Sequence, residues 1–249
     1  MSYRTFKIYY LLVSFLLFIN SGFSQKNIDG LEGKKILIVY GGWEGHKPKI
    51  FAKKIAKWLV DQKANVKLVK GTDVYSNSKV MKDLDLIIQH ITKSKMSPKE
   101  SKGLINAVAG GVGLVGCHGG LGDSFRKNTE YQYMVGGQFV KHPGGEVTYT
   151  VNIKSKKDPI TIGVEDFSLY SEQYYMHVDP ALEVLASTEF SGAHDSWING
   201  AVVPVVWKKS FGEGRIFYNS IGHSEQTFEI PEVWTLITRG VRWAVKKNN

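Results

Sequence analysis

A single cysteine, Cys117, stands in the 249 residues, so no internal disulfide can form. No HxH or HExxH spacing occurs, so no local motif announces a metal. Nor is there a linker, an internal repeat or a low-complexity segment, and nothing marks a second folded domain. The chain also lacks an apolar run long enough for a comfortable membrane span: Ile8–Ile19 is too short, and the residues after it are polar. Arg4 and Lys7 precede that run and Ser21-Gly22-Phe23-Ser24 comes after it, which is the layout of a secretory signal peptide. Residues 1–24 are therefore expected to be removed after Ser24, leaving residues 25–249 as one exported domain, periplasmic or extracellular. A domain of that size needs no disulfide even in an oxidising compartment.

Acidic residues are the minority, 23 against 32 Lys and Arg, giving a formal charge of +9. Lys49, Lys53, Lys54 and Lys57 fall on an expected helix face rather than in a stripe interleaved with aromatics. That pattern argues against nucleic acid as a partner and leaves a general attraction for anionic surfaces or substrates.

The chain is organised around Gly110–Gly122, GGVGLVGCHGGLG. A short apolar run ending in small residues reads as a buried strand entering a tight turn, with Cys117 and His118 at its carboxyl end. Upstream, Lys34–Tyr40 is an apolar strand ending in GGWEGH, and Pro48 opens a helix with an apolar stripe of Ile50, Phe51, Ile55, Trp58 and Leu59. Val66–Val69 and Leu84–Ile91 read as further strands, and Ser97-Pro98-Lys99-Glu100 as a capping box starting a helix. This alternation predicts a doubly wound, mostly parallel sheet. The second half differs: Glu146–Ile153 alternates as a half-exposed strand does. Val203–Trp207 and Arg215–Ser220 form an added antiparallel hairpin, and Pro231–Val245 a last helix burying Val233, Trp234, Ile237, Val241 and Trp243-Ala244.

The histidines are the main chemical candidates. His46 and His118 come after strands, His90 lies within one, His142 stands in a glycine-bounded loop, His177 comes after SEQYYM, and His223 after a late strand. In a parallel sheet the carboxyl ends of the strands share one edge, which predicts that His118, His142, Glu172 and His223 line one cleft with His46 at its rim. Three chemistries compete. Cys117, His223 and Glu225 could act as nucleophile, base and orienting acid, although Val115 stands where a nucleophile turn would have glycine. A divalent ion such as zinc could be bound by some of His46, His118, His142, His223 and Glu172, with His118, His142 and His223 as the leading candidate ligands. Or His118, Glu172 and His223 could perform acid–base chemistry on a sugar, with Trp43, His46, His142, Tyr174 and Tyr175 as the binding surface.

At these residues the chain resembles the ThuA-like (trehalose-utilisation) family. The resemblance runs from about Lys34 to Lys246 and is carried by GGWEGH, GGVGLVGCHGG, VGGQFVKHPGG, DPITIGVEDFSLYSEQYYMHVDP and PVVWKKSFGEGRIFYNSIGHS. It implies a flavodoxin-like fold related to class I glutamine amidotransferases, and a role in sugar catabolism beside oxidoreductases that make 3-keto sugars. In that family the position of Cys117 is often aliphatic while the histidine after it recurs, which counts against a cysteine nucleophile. Asp158-Pro159 stands where family members commonly have His-Pro. The substrate implied is a glycoside or keto-sugar; a non-catalytic sugar-binding module is the opposing reading. A sugar oxidoreductase is the implied partner, and the sequence does not decide self-association.

Overall fold

The computed structural model describes residues 30–247; the expected signal peptide and its cleavage point lie outside the described residues. In chain order the elements are β1 (Lys35–Gly42), α1 (Pro48–Asp61), β2 (Asn65–Lys70), α2 (Ser78–Lys82), β3 (Leu86–Thr92), α3 (Pro98–Ala109), β4 (Gly113–Cys117) and α4 (Gly119–Gly122). Next come α5 (Thr129–Val135), β5 (Gly137–Lys141), β6 (Glu146–Ile153), β7 (Phe167–Glu172), β8 (Tyr175–Val178), β9 (Glu183–Glu189), β10 (Val202–Phe211), β11 (Gly214–Asn219) and α6 (Pro231–Ala244).

Nine strands form one sheet in the order β2-β1-β3-β4-β11-β10-β9-β6-β7, and β5 pairs with β8 apart from it. From β2 to β11 every pairing is parallel; from β11 to β7 every pairing is antiparallel. The sheet is therefore mixed, not mostly parallel as expected. The expectation fails because the β10–β11 hairpin is not an appendage. Its second strand joins β4 in parallel while its first starts an antiparallel run that β9, β6 and β7 continue.

Both faces of the inner parallel strands β1, β3 and β4 are covered, so they read as continuous apolar runs, whereas the edge strand β2 has no buried residue. Along β1, Ile36 and Ile38 pack with Phe51, Ile55 and Leu59 of α1 and with Val233, Ile237 and Val241 of α6. The alternate residues Leu37 and Val39 pack on the opposite face with Met81 of α2, Leu104 and Val108 of α3, and Met134 of α5. Each fully buried side chain of this kind contributes about 1.5–3 kcal/mol. The α3 capping box is present: Ser97 Oγ accepts from the Glu100 amide, and Glu100 accepts from the Ser97 amide at 2.6 Å.

In α6 the buried face is Val233, Leu236, Ile237, Gly240, Val241 and Ala244. Trp234 and Trp243, expected inside, pack only partly buried at its edge, Trp243 beneath the cations of Lys208 and Arg215. An indole at a helix boundary keeps its apolar face covered without being enclosed. No described helix is long and apolar enough to cross a membrane.

Candidate functional site

The parallel strands deliver the turns after them to one edge. After β1 the chain turns through Trp43 and a short 3-10 segment, Glu44–His46. After β4 comes His118, and after β11 comes His223. His118 has φ 51° and ψ −144° at the cap of α4, an unfavourable backbone region for a residue with a side chain. Such strain costs on the order of 1–3 kcal/mol and persists where the surroundings enforce it. Here they do: the His118 amide donates to the Asn219 carbonyl at 2.7 Å, and the Tyr218 hydroxyl donates to the His118 carbonyl at 3.0 Å.

This strained strand-to-helix turn has the form of a nucleophile elbow, with His118 at its apex. Counted from His118, glycines stand two before and two after, at Gly116 and Gly120. A Cβ on Gly116 would lie 2.7 Å from the Gln89 carbonyl, and one on Gly120 would lie 2.8 Å from the His90 Cα. Both must be glycine. A turn centred one residue earlier, on Cys117, puts Val115 where a glycine is needed, the mismatch that the sequence already shows against a cysteine elbow.

Cys117 is buried in the core, and burial pushes its thiol well above the ordinary range. Its Sγ faces His90 Nδ1 at 3.7 Å, while His223 contacts Glu172. The Cys117–His223–Glu225 constellation is not assembled. Glu225 instead stands directly before a 3-10 turn at Gln226–Glu229, with no side-chain hydrogen bond to it.

What is assembled surrounds Glu172, the last residue of β7. Although β7 stands at the far end of the sheet, four histidines meet this one carboxylate. His118 Nε2 is 3.0 Å from Oε2, His223 Nδ1 is 3.2 Å from it, and His46 Nε2 is 4.0 Å from it. His142 Nε2 is 3.5 Å from the other oxygen, Oε1. The His223 contact is an ion pair without the alignment of a hydrogen bond. One donor atom each from His46, His118, Glu172 and His223 lies within 4.8 Å of the others, an arrangement able to hold a metal ion.

Partners behind the cluster orient it. His118 Nδ1 is 2.8 Å from the Ser220 carbonyl, and His46 Nδ1 is 3.1 Å from Thr92 Oγ1. Tyr174 stacks on the His118 ring, centroids 4.1 Å apart, with its hydroxyl 2.8 Å from Nε2. Gly119 makes this packing possible, since a Cβ there would lie 2.8 Å from the His46 ring.

Electrostatics separates the members. Burial, then His118, holds His46 far below the ordinary histidine range, at about 3. Burial likewise lowers His118 despite Glu172 beside it. His223 is raised, first by its contact with Glu172. Burial alone would raise the Glu172 carboxyl, but His118 and His223 outweigh it and hold the group well below the carboxylate range.

Of the residues singled out in the sequence, His118, Glu172 and His223 meet directly, and His142 joins them from the outside. His46, expected at the rim, is buried within the cluster. Trp43 is the rim: its ring packs 4.7 Å from His46 and stays half-exposed. Tyr174 does not continue the strand face of Glu172, because the strand breaks at Gln173-Tyr174, yet its ring reaches His118. Tyr175 packs against Phe190 instead. Sequence reasoning passes over Thr92 and Ser220. Thr92 ends a strand on the same edge and Ser220 comes directly after one, a positional signal that only the histidines were credited with.

Among curated proteins, none matches the chain. Solved structures do. A ThuA-like protein from Bacteroides uniformis superposes with TM-score 0.71 at 21% identity, covering 87% of this chain and 93% of its own. A ThuA-like protein from Parabacteroides merdae gives TM-score 0.70 at 18% identity, covering 88% and 93%. A cytoplasmic protein from Salmonella typhimurium LT2 gives 0.61 at 15%, covering 86% and 100%. At such identities these likenesses speak for the fold, which is flavodoxin-related. The family described as ThuA, trehalose utilisation, matches residues 35–244, nearly all of the described fold, and the chain belongs to that family.

Proposed function

We propose that this protein acts on a glycoside or keto-sugar at the Glu172 centre, with a divalent metal of the zinc class held by Nε2 of His46, Nε2 of His118, Nδ1 of His223 and Oε2 of Glu172. The observation that carries this is at His118. Its Nδ1 faces a carbonyl, which only accepts, so that nitrogen bears the proton. Burial favours the neutral ring, which leaves a lone pair on Nε2. That lone pair faces a carboxylate oxygen 3.0 Å away, with the Tyr174 hydroxyl 2.8 Å from the same nitrogen. Without a cation the Tyr174 hydroxyl can donate to that lone pair; a cation between Nε2 and Oε2 would engage both acceptors at once.

The donor set fits the cation. Zinc binds imidazole and carboxylate at 2.0–2.2 Å, which places tetrahedral donors about 3.3 Å apart. The separations around Glu172 Oε2 lie near that value for His118 and His223 and within a small side-chain shift for His46. Ser220 and Thr92 hold the remote ring nitrogens, as outer partners of metal-bound histidine do. When bound, such an ion polarises a carbonyl or a water molecule.

The chain's own residues then divide the remaining work. His142 stays outside the ligand set, and its Nδ1 has no hydrogen-bond partner. It is the group free to carry a proton, for instance from the C–H beside a keto group. Tyr174 fixes the His118 ring and presents a hydroxyl, and Trp43 offers a half-exposed ring face for a sugar. A keto-sugar substrate would come from an oxidoreductase acting before this protein. Export through residues 1–24 would place both steps outside the cytoplasm.

The test combines elemental analysis with product detection. Protein purified without chelator should carry about one divalent ion per chain and convert a keto-glycoside, followed by NMR. Saturable shifts without product would leave a sugar-binding module. Protein that neither retains nor takes up zinc, manganese or cobalt would end the metal reading.

A further inference from the structure

Beside the Glu172 centre lies a groove of about 1280 Å³, between α3, the start of α5 and the segment after β3. A pocket for one small molecule runs to roughly 300–1,000 Å³, so this groove suits a longer occupant. Lys93, Lys95, Lys102 and Lys127 lie along it, all exposed, against the single acid Glu130. Arg126 also lines it but is already engaged bidentately by Asp123. The floor contains apolar surface from Met96, Ile105 and Phe125.

The upper end of the groove is joined to the walls of the site on two sides. Lys93 comes after Thr92, the partner of His46, and its ammonium lies 4.5 Å from the centre of the Trp43 ring. Arg126 lies 5.6 Å from the Phe139 ring, which packs 4.4 Å from Tyr174 and 5.7 Å from His142. A chain lying in the groove would therefore lead one end toward Trp43 and the Glu172 centre.

We infer that this groove binds a strand of acidic glycan, with carboxylates against the lysines and sugar faces on the apolar floor. The inference rests on the sugar reading of the adjoining site for its choice of polymer; the charge and continuity of the groove stand without it. Carboxylate contacts at exposed lysines are individually weak and screened by salt, so affinity must come from several together.

The experiment measures binding of an oligomer of galacturonic acid, of its carboxyl-reduced neutral counterpart, of an acidic peptide and of single-stranded DNA, by calorimetry at low and at physiological salt. The wild-type protein should bind the acidic oligomer roughly tenfold or more tightly than the neutral one, with affinity falling as salt rises. A Lys95→Glu/Lys127→Glu protein should lose roughly tenfold in that affinity, while its metal content and its turnover of a single keto-glycoside stay as in the wild type. Equal binding of acidic and neutral oligomers, or no effect of the charge reversals, would overturn the proposal. So would tighter binding of the peptide or the DNA. Because metal content and small-substrate turnover are read on the same samples, failure of the groove is told apart from failure of the site.

Discussion

The two halves of the sheet contribute to the site in different ways. The parallel half, β2-β1-β3-β4-β11, gives His46, His118 and His223 because each comes after a strand that ends on the same edge. Topology alone gathers them, and buried partners fix their rings: Thr92 for His46 and Ser220 for His118. The antiparallel half gives Glu172, with Tyr174 just after it, and the separate β5–β8 pair gives His142; these share no such rule. Glu172 arrives at the end of β7, which pairs with β6, and His142 and Tyr174 flank the paired strands β5 and β8. One half is a scaffold that holds three imidazoles; the other is a flap that carries the charge they need. A site split this way depends on how the strands pair as much as on its residues.

The sharpest way to break that comparison is to remove the charge from the flap while keeping its shape. Glu172→Gln should lower metal affinity and turnover by at least about 100-fold, since the loss of even an outer partner costs about 10–100-fold. Thr92→Val, which frees His46 on the scaffold side, should cost about tenfold in metal affinity and leave the remaining ligands working. Metal titration with a competing chelator reads both. Equal losses would mean that the two halves are equivalent, and the division into scaffold and flap would be wrong.

Acidification tests the scaffold side of chelator-treated protein. His46 and His90 are each held at about 3 in the fold, by burial first and then by His118, against 6.5 when free. A lowered histidine means that the unfolded chain binds the proton more readily. Stability is therefore intact above about pH 6.5 and falls as the pH drops toward about 3. Within that window each of the two contributes a slope of about 1.4 kcal/mol per pH unit. Glu172 adds to the loss only below its ordinary carboxylate range, because its folded value is depressed. His223 acts oppositely: its pairing with Glu172 stabilises below its ordinary value and is lost as the pH rises through the raised one. Urea midpoints from pH 7.5 to 4 would show the fall, and His90→Gln should flatten it. A flat profile in the parent protein would remove the claim that these rings are held neutral.

Much of the scaffold is legible in the sequence. The runs KKILIVY, LDLIIQHI and GVGLVGC could only be strands buried on both faces, and the SPKE box could only start a helix. That suffices to place His46 and His118 on one edge; His223 joins them because β11 pairs with β4 in parallel, which the expectation of an added hairpin does not include. The flap is less legible. Glu172 lies in an alternating strand whose pairing, across β6 to the end of the sheet, no local pattern reveals. The register of the tight turn is open to an error of one residue, although Gly116 and Gly120 are in plain view. Glycine pairs mark a close approach without saying which residue sits between them. Gly120→Ala settles that register: its Cβ would meet His90 at both ring and backbone, so overpacking should cost about 1–3 kcal/mol and disturb His118. A neutral Gly120→Ala, by thermal unfolding, would show that the turn is not centred on His118.

The smallest expected effect belongs to Cys117, one residue before that apex. Its side chain points into the core beneath the scaffold, among Val115, Ile221 and Phe228. Burial keeps the thiol protonated, and the basic group facing it is the equally buried His90. A protonated, enclosed thiol is a poor nucleophile and behaves as a small apolar group. Cys117→Ala removes that one group and should cost on the order of 1 kcal/mol, the lower end for a core truncation. Metal content and sugar turnover should remain near those of the parent, because nothing in the Glu172 centre takes a hydrogen bond from Sγ. Thiol-directed alkylation should also be slow in the folded protein and fast in urea. A folded Cys117→Ala protein that had lost its turnover would move the chemistry from the apex of the turn to its base. The scaffold would then hold a nucleophile as well as the imidazoles, and the flap's charge would no longer be the feature on which the site depends.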